Sequence, residues 1–432
     1  MQKRRKYRAT DVKDVALESL LAAAPQGAAA AGLDISKFEA FAVMRWRDGS
    51  FERPWKAKIP SQMNELVKTL RRVGEERPLV VAMESTGTYG DALRARLTAA
   101  GLNVQRVSGK AASDYAEIFD GVPSQHDGKD AAVIAELAAF GKSSPWPYRP
   151  PSELEDELTY WVDWLDAQQR IQMLWLGRLE ALLARHWPEV TRLLKLNSAT
   201  LLKLLAHYGG PAKLAADPHA AERLAGWGRH LLLPSKIEKV IASAAATVGV
   251  AVSARDTQRI KQCAKLALAA RDETKKAKRE LEALAESCEV LKRQAQIVGA
   301  PTACVLWAVV GDPRDYPCGA AYRKAMGLNL KERSSGKYQG QVKITKRGPS
   351  LARRWLYFAA MRTVQDPPAR LWYEGKKKRD KDRGKGALTA VMRKLALALW
   401  NVGANGERFE GWRLFPGRSK ARKAAQARRC VF

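Results

Sequence analysis

The sequence predicts an α/β domain on a mixed sheet, followed by a mainly α-helical remainder. Short β-forming runs alternate with helix-patterned segments over 31–150, and from 151 the pattern becomes almost continuously helical. Hydrophobic residues make up 46% of the 432 residues, enough for two or three cores.

Residues 1–30 read as a flexible leader, with a basic start and an Ala-rich linker. GLDIS at 32–36 reads as a buried strand and turn, and FEAFAVMRWR at 38–47 alternates like a second strand. Asp48-Gly49 is a hairpin turn signal, and 51–59 follows as a third strand. Met63, Leu66 and Leu70 share one face of a helix over 61–73. The apolar run PLVVAM at 78–83 suits a central strand, bounded by a helix at 89–100 and a strand at 103–107.

Residues 153–194 are strongly helical, with Leu154, Leu158, Trp161, Trp164, Leu165, Ile171 and Leu174 as expected core and Pro188 breaking the run near its end. Shorter helices occupy 201–232, and 256–298 reads as one long charged helix. Within it Leu281, Leu284, Cys288 and Leu291 form a seam of coiled-coil spacing, which either joins copies or packs on its own chain. A helix from Gly299 through Val310 resembles a helix-hairpin-helix element that holds a DNA backbone. The expected division is a leader at 1–30, an α/β domain at 31–150, a helical coiled-coil linker at 151–298, a C-terminal domain at 299–410, and a basic, disordered tail at 411–432.

Seventy-five Lys and Arg against 45 Asp and Glu leave a formal charge of +30. Such a chain repels itself unless it meets a polyanion, and nucleic acid gains by counterion release. The five cysteines include no CxxC pair and the five histidines are scattered. That pattern argues against a zinc ribbon or disulfide framework and fits a reducing cytoplasm. No uncharged apolar run is long enough to span a membrane.

Four carboxylates stand out. Asp34 lies at the end of the first strand and Glu84 at the end of PLVVAM. Asp127 and Asp130 open a helix, where a spacing of three puts both on one face. Ligands of open α/β sheets gather at the carboxyl ends of strands. Clustered carboxylates repel unless a cation joins them, and hard oxygen donors select Mg²⁺ or Mn²⁺. A pair of such ions can stabilise the attacking and leaving oxygens of phosphodiester cleavage. Each acid taken singly reads more readily as a helix cap or strand-end group; the set of four in this order points to metal binding.

A second constellation is Arg333-Ser334-Ser335-Gly336-Lys337, followed by ITKRG at 344–348. A Ser-Gly pair on a Gly-rich loop presents a hydroxyl, and the surrounding cations can hold a phosphate. No histidine partner is evident. The hydroxyl proton would pass to a metal-bound base, a carboxylate or a basic side chain. Ser-Ser-Gly alone reads more readily as a flexible basic loop.

Together these motifs resemble the DEDD transposases of bacterial insertion sequences, the IS110 group, which includes RNA-guided bridge recombinases. The resemblance covers about 31–410. It is carried by GLDISK at Asp34, ESTGTYG at Glu84, DGKDA at Asp127 and Asp130, GAPTA, AYRKAMGL, RSSG, ITKRG, LARRWLYFAAM and ALTAVMRKLALALW. It implies a RuvC-like domain of ribonuclease-H type with a DEDD metal site, a coiled-coil segment, and a Transposase-20-like domain with a serine nucleophile. That serine directly precedes the glycine, which places it at Ser335, with Ser334 second. It further implies donor and target double-stranded DNA, a structured non-coding guide RNA, a homodimer assembling to a tetramer, and a place in the bacterial cytoplasm with the nucleoid. Arg333, Lys337, Lys346, Arg347, Arg353 and Arg354 are the expected nucleic-acid contacts. Pro349 departs from the usual Asn, and the helices around 195–250 are additional.

Two other functions compete. A RuvC-like fold alone could be a Holliday-junction resolvase that uses metal-activated water. A basic, non-catalytic RNA- or DNA-binding protein could use the 13 tryptophans, although Trp161, Trp164 and Trp175 sit in apolar helices where packing is the ordinary role.

Overall fold

A computed structural model describes residues 8–85, 87–121, 126–332, 334–335, 338–339, 343–380 and 383–415, which fall into two compact units divided between Pro150 and Pro151.

The first unit runs β1 (Thr10–Asp11), α1 (Leu17–Ala23), β2 (Ala29–Ile35), β3 (Glu39–Arg45), β4 (Trp55–Lys58), α2 (Met63–Glu76), β5 (Leu79–Glu84), α3 (Asp91–Ala99), β6 (Asn103–Val107), α4 (Gly109–Phe119), α5 (Asp127–Ala139) and β7 (Ser143–Pro145). The strands form one sheet in the order β1-β4-β3-β2-β5-β6-β7. β2 pairs antiparallel with β3 and parallel with β5, and β5 pairs parallel with β6. This is a mixed sheet of RuvC-like kind, with the expected β-β-β-α-β-α-β order at its centre.

Both faces of the central strands are covered, so their alternation serves two cores. Ala31, Leu33 and Ile35 of β2 with Val81 and Met83 of β5 pack on Leu66 and Leu70 of α2 and Leu93 and Leu97 of α3. Ala30 and Ala82 face the other way, onto Ala112 and Ala116 of α4 and Val133, Ile134 and Leu137 of α5. α5 can lie close because β2 has no side chain at Gly32. A Cβ there would fall 2.0 Å from the Ala131 carbonyl oxygen.

The leader reading needs correction. β1 pairs parallel with β4, Thr10 opposite Trp55, and Val12 and Leu21 are buried in the first core. The Ala-rich composition masked a short amphipathic pattern at Val12, Leu17, Leu20 and Leu21 that docks on α2.

The second unit is helical apart from one hairpin. α6 (Glu153–His186) opens on a capping box between Ser152 and Glu155 and ends before Pro188. Five short helices follow: α7 (Val190–Leu193), α8 (Ala199–Tyr208), α9 (Pro211–Ala215), α10 (Ala220–Gly228) and α11 (Pro234–Ala245). Then come α12 (Ala254–Ser287), α13 (Glu289–Val298), α14 (Ala300–Val310), α15 (Gly319–Ala325), β8 (Leu330–Lys331), β9 (Ser334–Ser335), β10 (Tyr338–Gln339), β11 (Lys343–Ile344), α16 (Ser350–Thr363), α17 (Pro367–Arg379), α18 (Gly384–Ala404) and α19 (Gly411–Leu414). α6 and α12 run antiparallel: the Trp164 indole donates to Glu273 at 3.0 Å, and His186 faces Asp256 at 3.4 Å.

Several expectations change here. The long charged helix breaks at Cys288, whose extended backbone separates α12 from α13. The seam residues Leu281 and Leu291 are fully buried in the same core as Leu158 and Leu165 of α6 and the helices α14, α16 and α18. The seam therefore packs on its own chain, and one core spans the expected boundary at 298. α14 is buried along Thr302–Trp307 and partly exposed only at its two ends. Trp164, Ile171 and Leu174 are exposed rather than core. Residues 411–415 belong to the fold, with Phe415 buried edge-on to Trp372; the rest of the expected tail lies outside the described residues. Among the described residues no single helix is long and apolar enough to cross a membrane.

Candidate active site

The acid set of the first unit is positioned by strand register. β2 and β5 pair in parallel through Leu33 opposite Met83, so Asp34 and Glu84 follow at the carboxyl ends of adjacent strands. Both alternate with residues of the first core and so share the face of Ala30, Gly32 and Ala82, the side covered by α5. Asp127 and Asp130 lie in the first turn of α5, which is capped by His126: its Nδ1 accepts from the Lys129 amide at 3.1 Å.

The electrostatics agree that these groups face one another. Burial, followed by the charges of Asp127, Asp130 and Glu84, pushes the Asp34 carboxyl up to about 6. Glu84 is raised by burial and by Asp130. Asp130 is raised by burial and Asp127, with His126 and Lys129 opposing. Yet among the described residues no three His, Cys, Asp or Glu side chains are drawn together closely enough to hold an ion. The donors are the hard oxygens a divalent cation takes, and their mutual repulsion is what such a cation would relieve. They share one field without yet closing into a coordination shell.

Ser335 belongs to the second unit. Leu330 pairs with Ile344, Lys331 with Lys343, Ser334 with Gln339 and Ser335 with Tyr338, so β8 to β11 form two stretches of one nested hairpin. Ser335 is exposed. Arg333 and Lys337 lie outside the described residues, as does the side chain of Ser334.

A family model for IS110 DEDD transposases matches residues 31–188, and a model of the transposase IS116/IS110/IS902 family matches residues 293–374. Together they cover more than half of the 432 residues. The chain belongs to the IS110 family of DEDD transposases. It is therefore an enzyme that acts on DNA, and its DEDD domain implies dependence on a divalent metal. No curated protein matches it.

The expected cationic contacts of this IS110-family transposase divide into two kinds. Lys346 and Arg347 are exposed, and Lys346 takes a left-handed backbone at φ 57°. Arg353 and Arg354 are committed within the chain. The Arg353 guanidinium donates to the carbonyls of Gly348 at 2.7 Å and Pro349 at 3.2 Å. Arg354 pairs with Asp166 of α6, a buried carboxylate that Arg170 also holds at 2.5 Å. Pro349 is accommodated as the residue that precedes α16, where no backbone donor is required.

Three supporting residues were not foreseen. Gly32 permits the approach of α5. Gly109 leaves room for Glu84: a Cβ there would fall 2.1 Å from Glu84 Oε1. Lys129, between the two aspartates, is 1% exposed and meets Asp120 at 2.7 Å, which ties the end of α4 to the start of α5. A glycine inside a buried strand was the one legible signal, since it marks close backbone approach.

Proposed function

We propose that this transposase cuts and rejoins DNA with Ser335 as nucleophile and with Mg²⁺ or Mn²⁺ bound by Asp34, Glu84, Asp127 and Asp130. The observation that carries the proposal is the register that aligns Asp34 with Glu84 beside the first turn of α5, where burial and then the nearby acid charges raise both carboxyls. A divalent cation there would supply charge for the phosphodiester oxygens. Ser335 Oγ forms one bond to phosphorus as one phosphorus–oxygen bond to deoxyribose breaks. The serine proton is given up and the released oxygen leaves as a hydroxyl. Reversal onto another strand end rejoins DNA and frees the serine. Exposure of Ser335 suits it to this role, and the exposed Lys346 and Arg347 can meet phosphate.

The +30 charge and the family resemblance support a structured guide RNA that selects donor and target DNA. Exchange of two strands at each of two sites needs four nucleophiles, which a dimer pairing into a tetramer would provide.

The test is covalent capture. The protein is incubated with the element's junction DNA, its adjacent non-coding RNA and Mn²⁺, then resolved under denaturing conditions. Wild type should carry DNA covalently; Ser335→Ala and Asp34→Asn should bind DNA without attachment. Continued cutting by Ser335→Ala with no adduct in wild type would instead indicate a resolvase using water. Unchanged function of Asp34→Asn would indicate a non-catalytic binder.

A further inference from the structure

Beyond the nucleophile itself, the hairpin that bears Ser335 must be aimed. Its two roots cross at Gly327 and at 345–348. The Lys346 amide donates to the Gly327 carbonyl at 3.0 Å, and the Thr345 amide to Asn329 at 2.7 Å. The crossing admits no side chain. A Cβ on Gly327 would fall 2.9 Å from the Lys346 carbonyl carbon, and one on Gly348 would fall 2.2 Å from the Ala325 carbonyl oxygen. Gly327 has φ 72°, and Lys346 shares that left-handed region at φ 57°. Arg353, on the first turns of α16, reaches both roots. Its Nη1 donates to Gly348 and Pro349 at the exit and lies 3.4 Å from the Met326 carbonyl oxygen at the entrance.

We propose that Arg353 is a positioning residue: its guanidinium staples both roots of the hairpin to α16 and thereby fixes where Ser335 is presented. The inference rests on the reading of Ser335 as nucleophile. It also reassigns Arg353 from nucleic-acid contact to an internal role. The half-buried guanidinium places Nη1 on carbonyls of both segments, and a charged donor shared between two chain segments fixes their relative place. A nucleophile displaced by about 1 Å can lose about 10²-fold in rate without loss of binding.

The experiment compares wild type, Arg353→Met, Arg353→Lys, Gly327→Ala and Ser335→Ala. For each, the single-turnover rate of the covalent DNA adduct at saturating DNA is measured, together with DNA affinity as a function of salt. Arg353→Met should slow the adduct about 10²-fold at saturating DNA with the salt slope unchanged, and Arg353→Lys should recover only part of the rate. Gly327→Ala disturbs the same crossing without removing a charge and should reproduce the slow rate. If Arg353→Met fails to fold, Arg353→Lys and Gly327→Ala decide the matter. A salt slope lower by about 1, with the rate restored by excess DNA, would mark Arg353 as a phosphate contact and overturn the proposal. A normal adduct rate in Gly327→Ala would overturn it as well. Ser335→Ala separates the two ideas, because an adduct that persists there removes the nucleophile reading whatever Arg353 does.

Discussion

Replacing Asp34 by asparagine should stabilise the metal-free protein at neutral pH and leave it nearly unchanged in acid. The Asp34 carboxyl is raised from its ordinary 3.8 to about 6 in the fold, mainly by burial and then by three neighbouring acids. Its sign is opposite to that of a salt-bridged aspartate. Between those two values the folded state keeps a proton that the unfolded state has released, so stability falls as pH rises through the window. Above about 6 the full cost is present; below 3.8 it vanishes. At about 1.4 kcal/mol per pKa unit the cost at pH 7 is about 3 kcal/mol, an upper figure because Asn is also polar and half-buried there. Urea denaturation of both proteins in EDTA from pH 4 to 8 measures it. The two stability curves should meet near pH 4 and diverge in favour of Asp34→Asn by pH 7. Mn²⁺ should then raise wild type and not the variant. Parallel curves across the range would show that Asp34 carries no such cost, and the reasoning from shared field to metal site would fail.

Two further changes probe the supports. Gly109→Ala should fold with near wild-type stability, because the clash falls on the mobile end of a side chain, but it should displace the Glu84 carboxylate and weaken Mn²⁺ binding by calorimetry; unchanged Mn²⁺ affinity would remove Glu84 from the ligand set. Asp120→Asn removes the carboxylate that meets buried Lys129 and should cost about 3 kcal/mol in urea denaturation, most of it recovered by adding Lys129→Met; simple additivity of the two changes would refute the pairing.

The strands and the acids were legible because they obey local rules. Alternation located β3 and short apolar runs located β2 and β5, and the order of elements then put Asp34 and Glu84 at strand ends without knowledge of the register. What periodicity could not report was which partner an apolar stripe would choose. Leu281 and Leu291 carry the spacing of an oligomer seam, but the same spacing suits α6 and α14, and only the fold shows those partners already in place. Ile171 and Leu174 failed in the opposite direction: they are apolar and helical, yet they fall on the outer side of α6. The leader was missed because its apolar residues are few and diluted by alanine.

Arg353 illustrates a further limit, which lies in chemistry rather than in pattern. A cation on a helix of a strongly basic protein invites the reading of a phosphate contact, and Lys346, Arg347, Arg353 and Arg354 look alike in sequence. Their separation comes from carbonyls that no composition reveals. Gly348 and Pro349 end a loop whose carbonyl groups have no strand partner, and the first turns of α16 bring Arg353 under them. Arg354, one residue and about 100° further round the helix, finds buried Asp166 instead. Lys346 and Arg347 precede the helix as exposed residues, and among the described residues no carboxylate pairs with them. Loss of a charge there should weaken DNA binding uniformly and lower its salt dependence, whereas loss of Arg353 should change the reaction and leave the salt dependence alone.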